Sequence, residues 1–202
     1  RFGDAVAICD DGIRNLVTRR PRGVIAAITP WNFPILTPLR KLSPAVVFGN
    51  AIVLKPSEFA PATASIVAET AKDHLPDGLV QVVHGAADVG SVIVAHPAVS
   101  GVTFTGSVAT GRRIYALAAQ NLAEISLELG GKNAGLVFAD CDFDAAVDGI
   151  ARAAFANCGQ VCLGTERVYV ERPIFEKFVQ ALKKKAEGMQ PGRPEDAATG
   201  IG

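Results

Sequence analysis

Residues 24–29, 51–54, 79–83, 99–104, 125–129, 134–138 and 167–170 form short apolar-rich runs of strand length. Between them lie longer stretches with apolar positions at helical spacing: 36–48, 61–74, the segments running to about Ala95 and Ala119, 143–157 and 173–185. Continuous apolar runs suit strands covered on both faces, where an alternating run would suit a half-exposed one. Strands and helices in regular alternation predict an α/β fold with an open, mostly parallel, Rossmann-like sheet. Residues 1–20 carry little pattern and are expected to form a ragged connecting segment or an edge strand.

Turn chemistry marks the boundaries. Pro30 and Pro34 stiffen the loop P-W-N-F-P after the first run, because proline fixes its own backbone and restricts the residue before it. Gly49-Asn50 is a helix stop, Pro61 suits a first helical turn and Asp142 a helix cap. Two units repeat one arrangement, a strand followed by two glycines five positions apart: Gly85 and Gly90, then Gly106 and Gly111. Glycine there permits a tight turn and lets backbone amides approach a ligand at the positive end of the next helix. The Gly130-Gly131 pair divides a first lobe, residues 1–131, from the start of a second, residues 132–202.

The composition changes this picture little. Of 202 residues, 49% are hydrophobic, and 20 basic side chains balance 20 acidic ones, which favours neither nucleic acid nor an anionic membrane surface. No apolar run is long enough to span a bilayer, and the first twenty residues lack the order of a signal peptide. Four cysteines, Cys9, Cys141, Cys158 and Cys162, are too few for a disulfide scaffold and point to a reducing, cytoplasmic setting. The chain starts at Arg1 and stops at Gly202 without a closing element, so it is expected to be part of a longer protein.

Candidate chemistry concentrates between residues 124 and 166. Glu128 precedes a glycine pair, and Cys162 follows a helix in the glycine-flanked run G-Q-V-C-L-G. A carboxylate and a thiol are the base and nucleophile that covalent chemistry on a carbonyl requires. Each has a plainer alternative: a small buried thiol for Cys162, a solvated strand-end charge for Glu128. Cys158 and Cys162 are too poor a ligand set for a metal, with no histidine near and no second cysteine pair, so no metal is expected. Gly130-Gly131-Lys132-Asn133 lacks the leading glycine and the trailing hydroxyl of a P-loop, and Lys132 is read as structural.

Five motifs stand in one order: P-W-N-F-P at 30–34, K-P-S-E at 55–58, F-T-G-S at 104–107, E-L-G-G-K at 128–132 and G-Q-V-C at 159–162. Together they resemble the NAD(P)-dependent aldehyde dehydrogenase superfamily over residues 21–202. The run from Gly159 to Phe175 is most similar to the branch acting on hydroxymuconic and aminomuconic semialdehydes. The resemblance implies Cys162 as nucleophile, Glu128 as general base and Asn32 as oxyanion donor beside the backbone N–H of Cys162. It also implies that Lys55 and Glu58 hold the adenine ribose, that Gly106 and Ser107 form the pyrophosphate-binding turn with Phe104 lining the cofactor cleft, and that Gly130 approaches the nicotinamide. A carboxylate at Glu58 would repel a 2′-phosphate, which favours NAD over NADP.

The function so implied is NAD-dependent oxidation of a small aldehyde, or semialdehyde, to an acid through a cysteine thiohemiacetal and thioester, in a homo-oligomeric parent. One alternative is release of the thioester to coenzyme A, against which Glu128 argues. The other is a catalytically incomplete nucleotide-binding piece.

Overall fold

The structure is a computed structural model that describes residues 5–8, 12 and 14–202. Cys9 lies outside the described residues. The chain forms two compact units, Arg1–Glu128 and Leu129–Gly202.

The first unit opens with a surprise. Strands β1 (Ala5–Ile8) and β2 (Arg14–Val17) pair antiparallel as a hairpin, where the sequence suggests only a connecting segment or one edge strand. Leu16 and Val17 are exposed, so this pairing leaves no one-sided apolar alternation for a reader of the sequence to find.

Next come β3 (Val24–Ile28), α1 (Leu36–Val47), β4 (Ala51–Lys55), α2 (Pro61–Lys72), β5 (Val80–Val82), α3 (Ala87–Ala95), β6 (Val99–Gly106), α4 (Val108–Ala119) and β7 (Glu124–Leu129). Five of them form one sheet in the order β5-β4-β3-β6-β7. The pairs β3/β4, β3/β6 and β4/β5 are parallel, and the consecutive strands β3, β4 and β5 are joined through helices as parallel neighbours require. Central β3 buries Ala26 and Ala27 completely, and these small side chains let helices lie close on it. Ala27 belongs to a core with Leu42, Ala45, Ile52, Leu54, Ala64 and Val80. Complete burial of a side chain such as Leu54 contributes about 2 kcal/mol.

Helix α1 runs through Pro44, which has no N–H to give to the preceding turn. Burial of Pro38, Leu42 and Ala45 on the same helix offsets that loss. Asn50 then locks the helix end to the sheet: its Oδ1 accepts from the backbone N–H of Arg22 (2.6 Å) and Gly23, and its Nδ2 donates to Ala45 O.

The second unit contains β8 (Asn133–Val137), α5 (Phe143–Phe155), β9 (Thr165–Val170) and α6 (Phe175–Glu187). Strands β8 and β9 are parallel, with α5 as their crossover. Val137, Val147 and Phe178 are its buried core, and the Phe178 ring meets Phe143 edge-on at 6.0 Å. Asp142 caps α5 by accepting from Ala145 N, as its side chain predicts. The helix stops two residues before the expected Asn157, because Asn157 and Cys158 take left-handed backbone conformations within a 3₁₀ turn. Likewise α6 begins at Phe175, since Arg172–Ile174, with Pro173, form a separate 3₁₀ turn. Among the described residues no helix is long and apolar enough to cross a membrane.

Candidate active site

In the first unit, the C-terminal ends of parallel strands carry the candidate residues, where open α/β sheets bind ligands. After β3 the chain bends through half-buried Asn32 and enters α1, and Thr37 closes the turn by donating its N–H (3.1 Å) and its hydroxyl (2.8 Å) to Phe33 O. At the head of this loop Thr29 is buried, and its hydroxyl has no hydrogen-bond partner among the described residues.

Lys55 ends β4 with its side chain buried and its ammonium turned inward, donating to Pro56 O (2.8 Å) and Gly85 O (2.6 Å). Exposed Glu58 stands 3.8 Å from that ammonium, so the sequence-predicted pair is brought together. The geometry assigns the two unequal parts: Glu58 presents an oxygen to solvent, and Lys55 fixes the loop and the carboxylate. Gly85 is required by space, because a Cβ there would lie 2.3 Å from Val89 Cγ2.

Phe104, Gly106 and Ser107 share the turn from β6 into α4. A Cβ on Gly106 would lie 2.5 Å from the Phe104 ring, so this glycine is dictated by the ring beneath it. Phe104, expected to line the cofactor cleft, is itself only 3% exposed and backs the turn from below. Ser107 accepts from Thr110 N (3.2 Å) as the N-cap of α4. The result is a glycine turn feeding the positive end of a 12-residue helix, an arrangement suited to a phosphate group.

Glu128 lies on β7, whose residues alternate between exposed and half-buried, and it is on the exposed face. That exposure is also what the plainer reading, a solvated strand-end charge, would give. Its electrostatic neighbour is a residue that the sequence reading missed. Lys41, on α1, is 8% exposed, donates to Thr103 Oγ1 (2.9 Å) and feels the Glu128 charge. Burial lowers its pKa from 10.5 to about 8, with Glu128 acting in the opposite direction. A signal was available: Pro38, Lys41, Leu42 and Ala45 follow the i, i+3, i+4, i+7 spacing of a buried stripe, with one cation among them.

In the second unit, Cys162 and Leu163 are the central residues of a tight turn closed by Gly164 N donating to Val161 O (2.9 Å). Cys162 is exposed, which removes the buried, inert reading of this thiol. Asn133 at the start of β8 donates to Cys162 O (2.7 Å) and Gly164 O (3.1 Å). Lys132 pairs with Glu166, and Arg167 donates to Lys132 O (2.7 Å). Gly130 is exposed, and a Cβ there would meet nothing within 4 Å, so no steric demand explains this glycine. Exposed Cys158 lies on the preceding 3₁₀ turn, and among the described residues no group of three or more His, Cys, Asp or Glu is placed to hold a metal.

The sequence profile described as the aldehyde dehydrogenase family matches residues 2–202. The chain belongs to the aldehyde dehydrogenase family. It is 51% identical over 194 residues to 2-hydroxymuconic semialdehyde dehydrogenase of Pseudomonas putida, covering 95% of this chain and 40% of that protein. To 2-aminomuconic 6-semialdehyde dehydrogenase of a Pseudomonas species it is 46% identical over 191 residues, with coverages of 93% and 39%. Among solved structures it is similar to PnpE in complex with nicotinamide adenine dinucleotide, with a TM-score of 0.95, 40% identity and coverages of 98% and 41%. Lactaldehyde dehydrogenase from Escherichia coli gives a TM-score of 0.96 at 39% identity, covering all of this chain and 43% of that one. The chain thus spans about two fifths of the length of the aldehyde dehydrogenases it matches.

Proposed function

We propose that this chain supplies the cofactor turns and the nucleophile of an NAD-dependent dehydrogenase that oxidises a semialdehyde to a carboxylic acid. The observation that carries the reading is Cys162, an exposed thiol at the apex of a turn whose flanking peptides are hydrogen-bonded in place. The named relatives support the semialdehyde class. Residues 1–131 are then part of a cofactor-binding domain, and 132–202 begin a catalytic domain. The parent enzyme is read as a cytoplasmic homo-oligomer.

The residues present fit the dinucleotide. The Gly106–Ser107 turn, shaped by Phe104, offers helix N-terminal amides to the pyrophosphate, and Glu58, steadied by Lys55, offers a carboxylate to the ribose hydroxyls. When bound, the nicotinamide supplies a hydride acceptor.

Deprotonated Cys162 adds through sulfur to the aldehyde carbon, and negative charge grows on the oxygen. The Asn32 amide and the Cys162 backbone N–H donate to that oxygen, one fixed donor being worth about 3 kcal/mol in such sites. Loss of hydride from the adduct leaves a thioester on Cys162. Glu128 then takes a proton from water as the water attacks the thioester carbonyl, releasing the acid and restoring the thiol.

In the full-length parent, turnover of a muconic-type semialdehyde with NAD, followed by absorbance of the reduced nicotinamide, is expected to disappear in Cys162→Ala while cofactor binding persists. Turnover retained in that variant overturns the mechanism.

A further inference from the structure

Asn133 falls outside the roles assigned above, yet its side chain reaches across 29 and 31 positions of sequence to the turn that carries Cys162. Two peptide units flank the Cys162 Cα. The Val161–Cys162 unit carries the Cys162 N–H at one end and, at the other, the Val161 carbonyl, which accepts from Gly164 N at 2.9 Å. The Cys162–Leu163 unit has its carbonyl held by Asn133 Nδ2 at 2.7 Å. The same amide holds Gly164 O at 3.1 Å, so it spans the last three residues of the turn and opposes rotation of its central peptide.

The anchor is itself positioned. A Cβ on Gly131 would meet Asn133 Oδ1 at 3.2 Å, so glycine at 131 leaves the amide its place. The register of β8 against β9 shifts after Asn133, which pairs with Thr165 while Ala134 pairs with Arg167. Glu166, left between them, is paired with Lys132, and Arg167 grips Lys132 O. The head of β8 therefore holds the segment from Cys162 to Arg167 with several independent contacts.

We infer that Asn133 is a positioning residue for the nucleophile, fixing the Cys162 peptides so that the Cys162 N–H is aimed at the oxygen of the attacked carbonyl. This rests on the reading of Cys162 as the thiol that attacks carbonyl carbon. The role needs an amide: two carbonyl oxygens require a donor, and an aspartate of the same shape would set a negative charge against them. Leu163 is 79% exposed, so packing of the turn's own side chain does not fix this peptide in place of Asn133.

Two reactions of the same sulfur separate positioning from simple loosening. Acylation by p-nitrophenyl acetate builds charge on a carbonyl oxygen: sulfur adds to the carbonyl carbon, the C–O bond breaks, and p-nitrophenolate leaves with the electron pair. Alkylation by iodoacetamide displaces iodide and builds no oxyanion. Both rates are read on the full-length enzyme by mass spectrometry of the peptide bearing Cys162, with Cys158 followed as an internal control.

In Asn133→Ala, acylation of Cys162 is expected to fall at least about tenfold, against the 100- to 1,000-fold typical of losing a donor outright. Alkylation of Cys162 should change less than about threefold, and Asn133→Ser, with one donor left, should fall between. Acylation unchanged in Asn133→Ala overturns the role of Asn133 alone, as does a parallel fall in both reactions. A wild-type chain that is alkylated but never acylated at Cys162 overturns the thiol reading itself, and this inference with it. Circular dichroism melting of each variant shows that the compared chains are folded, and Asn133→Gly provides a second donor-free variant should Asn133→Ala melt early.

Discussion

The β6–α4 turn and the turn that carries Cys162 are built on opposite plans. At Gly106–Ser107 everything needed is local: a ring two residues back, a glycine that accommodates it, and a serine that caps its own helix three residues on. At Cys162 the turn closes on itself through Gly164 N and is held from outside by Asn133, 29 residues earlier, while Lys132 grips Glu166 just beyond it. A phosphate-binding turn can be local because backbone amides do the binding. A nucleophile must hold one side-chain atom at a defined place, and a five-residue loop with an exposed leucine cannot do so alone.

Substitutions separate the chemistry from the cofactor turn. The largest expected effect is on chemistry: in the full-length enzyme Asn32→Ala should lower kcat about 100-fold, about 3 kcal/mol, with NAD affinity nearly unchanged. Equal loss of kcat and cofactor affinity would place Asn32 on the cofactor side instead. Gly106→Ala comes next. Its methyl group would lie 2.5 Å from the Phe104 ring, so overpacking of about 1–3 kcal/mol should lower the melting temperature and weaken NAD binding at least about tenfold. Alkylation of Cys162 should be unaltered, since its anchors lie elsewhere. A change there would mean that the turns are not independent.

Lys41 gives a pH test. Its folded pKa of about 8 lies below the ordinary 10.5, so burial disfavours the charged form in the native state. Below pH 8 both states hold the proton and the penalty is felt in full. Between about 8 and 10.5 the native state releases its proton first, and stability rises with pH. Lys41→Met should therefore be more stable near neutrality by about 2 kcal/mol, after allowance for solvent screening, and lose the rise. Denaturant midpoints at pH 7 and 10 check this, and an unchanged rise would assign the effect to another group. The smallest effect is Ser107→Ala, which removes the cap on Thr110 N and should cost about 1 kcal/mol in thermal melts.

The same local and remote division decides what could be read from sequence. The apolar runs that became β3, β4 and β6 are legible because strands covered on both faces have few alternatives to burial. Asp142 as a cap is legible because its partner, Ala145, is three residues away. Lys41 was hidden by its type, since a lysine on an amphipathic helix ordinarily faces solvent, and only its place on the apolar stripe marks it as buried. Asn133 was hidden by distance, because nothing within the E-L-G-G-K-N run reveals that its amide will meet a turn built thirty residues later. The stop of α5 at Phe155 depends on left-handed Asn157 and Cys158, of which only the asparagine is a residue type inclined to that conformation. Phe104 was legible as part of the β6–α4 turn from its motif, whereas its near-complete burial was not, because a motif gives position along the chain and not how deeply a ring is packed.

In the mechanism proposed for the full-length enzyme, a thioester forms on Cys162 and Glu128 is needed to remove it. Glu128→Gln in the full-length enzyme, mixed with aldehyde and NAD and quenched in acid, tests both halves in one mass spectrum. One acyl group is expected on the peptide bearing Cys162, in amounts matching the first burst of reduced cofactor. An adduct on Cys158 instead, or sustained turnover with no adduct at Cys162, would contradict it.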